Sequence, residues 1–188
     1  FQYYVGTKGG ETIRLADAYC EKILDPEHDD DIPASAYPDN KTYPKGGKGI
    51  VSVFKIQRDN YAWTVSDFKM QHPKQPVIYE MHLRDFTTGR TINSALQKLD
   101  YLKDMGVDAI ELIPVQEFDG NDSWGYNPCF FFALDKAYGT PKMYKDFIDA
   151  CHRKGMAVIL DVVYNHATGN MPFARLYWDS AKNKTCLL

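Results

Sequence analysis

Three polar side chains gather where an apolar run ends. The run is Gly155-Met156-Ala157-Val158-Ile159-Leu160, and Asp161-Val162-Val163-Tyr164-Asn165-His166 follows it directly. A carboxylate, an amide and an imidazole crowded at one place are candidates for chemistry. Asp and Asn are also ordinary turn formers, so an Asp161 that merely caps the next loop is the plain alternative. Glu80 and His82 are two residues apart and share a face if their stretch is a strand. Such a pair either does acid–base work or is a satisfied polar pair inside a barrel. Trp124 and Tyr126 flank Gly125 in Ser123-Trp124-Gly125-Tyr126-Asn127-Pro128. Rings in loops suit sugar faces, with packing as the alternative for Tyr126.

These groups need elements to hold them. The β-branched run after Gly155 reads as a strand buried on both faces, with Gly155 ending the helix before it. Asp161 shares parity with Ala157 and Ile159, so the three point the same way. Parallel α/β sheets collect their chemistry at the carboxyl ends of strands, where Asp161, Asn165 and His166 fall. Thr140-Pro141 opens the preceding helix, whose inward stripe is Tyr144, Phe147, Ile148 and Cys151. Val107 to Val115 reads as a strand. Thr91 to Gly106 reads as a helix, because Ile92, Ala95, Leu96, Leu99, Leu102 and Met105 recur at three and four. Val77 to Phe86 reads as a strand opened by Pro76, with Val77, Tyr79, Met81 and Leu83 opposite Glu80 and His82. Strand, helix and strand form a βαβ unit with a right-handed crossover. Between Pro114 and Thr140 the pattern predicts a loop, too long to be idle and too aromatic to be disordered.

The beginning of the chain reads as a hairpin: Phe1 to Val5, a turn at Lys8-Gly9-Gly10, then Thr12 to Leu15. A lone hairpin is barely stable, so partner strands are expected upstream. Pro26 to Pro76 is an irregular connector with one short strand at Ile50 to Ile56. Its Asp29-Asp30-Asp31 triplet reads as a solvated turn rather than a metal site. The expected organisation is therefore residues 1–25, a connector over 26–75, and an α/β unit over 76–188.

Composition narrows the classes. A formal charge of −3 excludes a partner recognised through basic excess, nucleic acid above all. No apolar run is long enough for a membrane span and no signal peptide opens the chain. A chain of 188 residues starting at Phe1 without Met reads as a piece of a longer one. Cys20, Cys129, Cys151 and Cys186 form no CxxC pair and call for neither disulfides nor zinc. Cys151, on an apolar helix face, reads as a free buried thiol. This cysteine usage favours the cytoplasm, with periplasmic or extracellular placement left open.

Tyr79-Glu80-Met81-His82-Leu83-Arg84-Asp85-Phe86, Trp124-Gly125-Tyr126-Asn127-Pro128 and Asp161-Val162-Val163-Tyr164-Asn165-His166 occur in that order. Together they resemble glycoside hydrolase family 13, the α-amylase superfamily, and most of all its pullulanase, isoamylase and branching enzymes. Asn127 replaces the Asp common there. Leu15-Ala16-Asp17-Ala18-Tyr19 and Ile23-Leu24-Asp25-Pro26 are loosely similar to the exit from the N-terminal β-sandwich of those enzymes, with Ala18 where proline is usual. The resemblance implies an α/β fold: the first three strands of a (β/α)8 TIM barrel, preceded by the end of a glucan-binding β-sandwich. A complete barrel needs ~250 residues, more than this chain has.

The resemblance also assigns roles. Tyr126 stacks on the sugar at the cleavage position, Trp124 and Asn165 join it in substrate binding, and Glu80 is structural. Asp161 braces the active-site floor, and His166 donates to the sugar's hydroxymethyl oxygen. The family cleaves or transfers α-glucosidic bonds with retention, which needs two carboxyl groups ~5–5.5 Å apart. Its nucleophile, acid/base and third acid follow strands four, five and seven, all outside these residues. No cofactor is expected. Asn165 matches a calcium ligand of calcium-dependent amylases, but one neutral oxygen without a supporting cluster is a weak claim on that cation. The implied partners are an α-glucan polysaccharide or oligosaccharide and the remainder of the parent chain. The parent then reads as a debranching or amylase-like glycosidase, and these residues alone as catalytically silent. The rival is a non-catalytic glucan-binding or interaction module. A nucleotide-binding α/β domain lacks its Gly-rich phosphate loop here.

Overall fold

The computed structural model describes residues 1–7, 9–56, 60–179, 181 and 184–185. Lys8 of the predicted turn and Cys186 lie outside them. Strands β1 (Tyr3–Gly6) and β2 (Thr12–Leu15) form the expected antiparallel hairpin, with Tyr3 opposite Leu15 and Gly6 opposite Thr12. Strand β3 (Ile23–Leu24) pairs with β4 (Val51–Ser52). The strand expected over Ile50 to Ile56 is therefore only two residues long. Beyond it Phe54 and Ile56 are exposed, so nothing buries the face that would hold the strand straight. Ala16, Cys20 and Ile23 share a core with Cys129, Phe130 and Ala133, which ties the first residues to the far part of the chain.

The connector is fastened rather than loose. Asp30 and Asp31 face water as expected, but Asp29 turns in to lie 3.3 Å from Lys136. Further on, Thr64 donates to Asp149 through its backbone N–H at 2.9 Å and its hydroxyl at 2.7 Å. Phe68 stacks on His152 with ring centroids 4.2 Å apart.

Strand β5 (Ile78–Met81) leads into a helical turn, α1 (Leu83–Phe86). The predicted strand to Phe86 thus ends early. His82 and Asp85 stand at i and i+3, their side chains meet at 2.8 Å, and the Asp85 N–H bonds the His82 carbonyl, which is turn chemistry. The alternation holds within the strand, where Met81 is buried, Tyr79 half-buried and Glu80 exposed; Leu83, already in α1, is also buried, but Val77 at the entrance is 53% exposed. The helix expected over Thr91 to Gly106 is two helices, α2 (Ile92–Leu96) and α3 (Leu99–Asp104). A tightened turn, Lys98 N–H to Ala95 O at 2.9 Å, resets the rotation between them. Ile92, Ala95, Leu99 and Leu102 then all face the core, while Met105, past the end of α3, is exposed. Thr91 and Ser94 form a reciprocal cap at the start, and Gly106 closes with φ 84°.

Strand β6 (Ala109–Leu112) follows. The next stretch is not the open loop that the sequence predicts but a hairpin of β7 (Gln116–Phe118) and β8 (Pro128–Leu134). Its register shifts on both sides of Glu117, so no clean alternation marks it in the sequence. Helix α4 (Pro141–Arg153) is capped by Thr140, whose hydroxyl accepts from Met143 N–H at 3.3 Å. Tyr144, Phe147 and Cys151 face inward as expected; Ile148 is only half-buried, and Ala150 completes the stripe. Strand β9 (Ala157–Leu160) ends the βαβαβ run, and α5 (Pro172–Leu176), β10 (Trp178–Asp179) and β11 (Lys184–Thr185) follow.

The sheet order is β5-β6-β9, all parallel. Tyr79, Met81, Ile110, Leu112 and Val158 meet the helices in one apolar cluster. Glu80, Glu111 and Ile159 are register partners on the opposite face. Strand β9 is not buried on both faces as predicted: Leu160 is 47% exposed. Among the described residues β9 pairs on one side only, with β6, so neighbours cover it incompletely. Cys20, Cys129 and Cys151 are buried free thiols, and no described helix is long and apolar enough to cross a membrane.

Candidate functional site

Asp161 sits one residue past β9, where its N–H still bonds Leu112 O at 3.0 Å. Its parity turns it to the face that carries Glu80 and Glu111. Opposite it stands the tip of the β7–β8 hairpin. That tip is bent by Gly125, whose φ is 88° and whose Cα faces the Pro114 carbonyl. An added Cβ would lie 2.2 Å from that oxygen, so only glycine fits. The Ser123 hydroxyl accepts from Gly125 N–H at 3.0 Å and donates to the Asn127 side chain, whose amide donates to Asp119 O at 3.2 Å. This scaffold leaves Trp124 59% and Tyr126 39% exposed.

Tyr126 is held at both ends. Its phenol donates to Asp161 Oδ2 at 2.5 Å, and its backbone carbonyl accepts from His166 Nε2 at 2.6 Å. The hydrogen bond to Asp161, partial desolvation and the nearby carboxylates Asp161, Glu80 and Glu111 push the Tyr126 phenol up to about 12. It is neutral, and a donor, throughout the pH range of ordinary enzymes. A carbonyl can only accept, so His166 carries its hydrogen on Nε2 and presents Nδ1 elsewhere.

The structure therefore brings Tyr126, Asp161 and His166 together at the carboxyl ends of parallel strands. Trp124 stands two residues before Tyr126, its ring 6.0 Å from that of His82. Asn165 is exposed and forms no side-chain hydrogen bond among the described residues. No three of His, Cys, Asp and Glu converge among the described residues to hold a metal.

Two sets of pairings escaped the sequence reading, although His82 itself did not. Around the tip, His82 reaches Asp85, the Ser123 carbonyl and the Tyr138 hydroxyl at 2.8, 3.1 and 3.2 Å. Arg84 pairs with Asp85 and with Asp122 at 2.5 Å. Arg84 and His82 together hold the Asp85 carboxyl well below the usual carboxylate range. The His–Asp spacing of three was the available signal. Behind the hairpin, Lys136 is 2% exposed and donates to Glu117 at 2.5 Å. Burial alone would favour a neutral lysine, but Glu117 and Asp29 outweigh it and hold the ammonium charged. Nothing in the local sequence announces that pairing.

The alpha amylase catalytic-domain family matches residues 82–185, more than half of the chain. A malto-oligosyltrehalose trehalohydrolase of Arthrobacter ramosus is 41% identical over 131 residues, 70% of this chain and 22% of that protein. A Salmonella typhimurium protein described as an alpha amylase superposes with a TM-score of 0.67 at 29% identity, over 95% of this chain and 27% of that one. The GBS pullulanase SAP in complex with maltotetraose gives a TM-score of 0.60 at 27% identity, over 84% of this chain and 24% of its own. The chain thus spans about a quarter of the length of the proteins it matches. With a family match over more than half of the chain and this similarity to solved members, the chain belongs to the α-amylase family, glycoside hydrolase family 13, and carries part of its barrel.

Proposed function

We propose that these residues form the sugar-contacting wall of a retaining α-glucan hydrolase, whose catalytic carboxylates lie on other parts of the parent protein. The observation that carries the reading is the doubly tethered Tyr126 ring, fixed by Asp161 and His166 at the mouth of the parallel sheet. A ring held at both ends loses little freedom when it meets a sugar face, and preorganisation of that kind favours affinity. Asp161 acts as a brace. It is not the nucleophile, which in the family follows the fourth strand, outside these residues. His166 Nε2–H supports the Tyr126 carbonyl in the unliganded site and passes to, or shares itself with, a sugar hydroxymethyl oxygen on binding. A donor fixed at the sugar position favours ligands that carry the hydroxyl over those that lack it. Trp124 offers a second exposed ring, and Asn165 a free amide.

The relatives' names point to malto-oligosaccharides, including those that end in trehalose, and to pullulan as the substrates to try. In the full-length protein we expect hydrolysis with retained anomeric configuration. In the 188-residue chain alone we expect no turnover. Steady hydrolysis by the purified 188-residue chain would overturn this division of labour. A full-length protein that binds maltotetraose without cleaving any α-glucan would favour the non-catalytic binding module.

A further inference from the structure

We infer that His82 is a positioning residue for Tyr126, acting through the Ser123 carbonyl; this rests on the reading of Tyr126 as a sugar platform. The Asp85 carboxylate can only accept, so His82 Nδ1–H donates to it at 2.8 Å. Nε2 faces two oxygens, Ser123 O at 3.1 Å and Tyr138 Oη at 3.2 Å; in the imidazolium form, ion-paired with Asp85, Nε2–H donates to Ser123 O, and the Tyr138 hydroxyl donates to that same carbonyl at 3.0 Å. The three atoms close a ring whose common acceptor is the backbone of Ser123. Ser123 in turn governs the tip: its hydroxyl takes Gly125 N–H, and Gly125 directly precedes Tyr126. From the solvent side, Arg84 grips Asp85 and Asp122, the residue before Ser123. His82 thus joins the end of the first barrel strand to the loop that bears the ring. The Glu–His pair on that strand is divided in its use: Glu80 faces the sheet interior with Glu111, while His82 reaches out to the loop.

The test needs variants that separate the two ring nitrogens. In His82→Gln an amide stands near the place of Nε2 and can donate its N–H to the Ser123 carbonyl, as Nε2–H does. In His82→Asn the amide stops near Nδ1 and keeps only Asp85. We expect maltotetraose affinity of the full-length protein to fall about tenfold in His82→Asn, about 1.4 kcal/mol, and to be largely restored in His82→Gln. In a Tyr126→Ala background the His82→Asn change should have no further effect. A readout without sugar is the 19F relaxation of 5-fluorotryptophan at Trp124, its resonance identified by its loss in Trp124→Phe. Faster local motion is expected in His82→Asn and not in His82→Gln. Equal behaviour of Asn and Gln in the relaxation measurement, or full additivity with Tyr126→Ala, would overturn the assignment. If the unaltered protein binds no glucan, the sugar reading fails, and the relaxation data still decide whether His82 holds the loop.

Discussion

Gly125→Ala is the most demanding perturbation the site offers. Two costs add at this position. A left-handed φ of 88° disfavours any L-residue with a Cβ by roughly 1–2 kcal/mol. The second is steric: the new methyl carbon would lie 2.2 Å from the Pro114 carbonyl oxygen, and that oxygen belongs to backbone at the end of β6 that cannot swing aside. An ordinary contact needs at least 3 Å or so, so the tip must retreat by about 1 Å. Such a retreat breaks the 2.5 Å Tyr126–Asp161 bond and the 2.6 Å His166 bond together. Misplacement by 1 Å can cost ~10²-fold in rate, so kcat/KM of the full-length protein on malto-oligosaccharides should fall about a hundredfold. The control is Gly169→Ala in the loop after His166, where an added Cβ meets nothing within 4 Å. Steady-state kinetics of both variants, with thermal melts to confirm folding, make the comparison. Unchanged kinetics in Gly125→Ala would refute the claim that this close approach aims Tyr126.

Tyr126→Phe keeps the ring and loses the phenol, so it should weaken glucan binding less than Tyr126→Ala does; equal effects by calorimetry would mean that the ring does not stack. The phenol is raised from 10.0 to about 12 in the folded state. It therefore contributes stability that is fully present below pH 10 and lost as pH rises towards 12. Denaturant melts of the protein and of Tyr126→Phe should converge over that window. Lys136→Met strands Glu117 as a buried unpaired charge and should cost ~3–5 kcal/mol, whereas Lys136→Met with Glu117→Gln should recover much of it. Urea titrations read both. Burial pushes the Cys151 thiol up to about 12, so native protein should leave it unmodified by a thiol reagent that labels it once denatured.

Much of the fold was legible because burial imposes period. The stripe Tyr144–Phe147–Cys151 and the Thr140-Pro141 start located α4 closely. The parity of Glu80 against Tyr79 and Met81 gave the faces of β5. Failures fell where period carries no information. The β7–β8 hairpin shifts register on either side of Glu117, so its apolar residues Phe130, Phe131 and Phe132 show no alternation and read as loop. The break between α2 and α3 preserves the three-and-four spacing on either side. A single turn in which Lys98 bonds three residues back is therefore invisible in the pattern. Strand β9 has a composition suited to full burial, but its exposure depends on how many neighbours it has, which composition does not encode.

The site divides in the same way, and the reason is chemical. Asp161 and His166 could be picked out as polar groups at the end of an apolar strand, and Tyr126 only by its resemblance to the family's motif. What brings them together is largely backbone carbonyls: Tyr126 O receives His166, Ser123 O receives Tyr138 and faces His82, and Pro114 O sets the approach of Gly125. Every residue owns a carbonyl, so sequence cannot mark the few that matter. Only the partners leave a trace, as a histidine three residues before an aspartate or a glycine between two aromatic residues. It follows that substitutions at Ser123 should be tolerated where the new side chain still accepts from Gly125 N–H, as Ser123→Asp does. Ser123→Pro, by contrast, removes a conformational choice at the carbonyl on which Tyr138 and His82 converge and should release the loop.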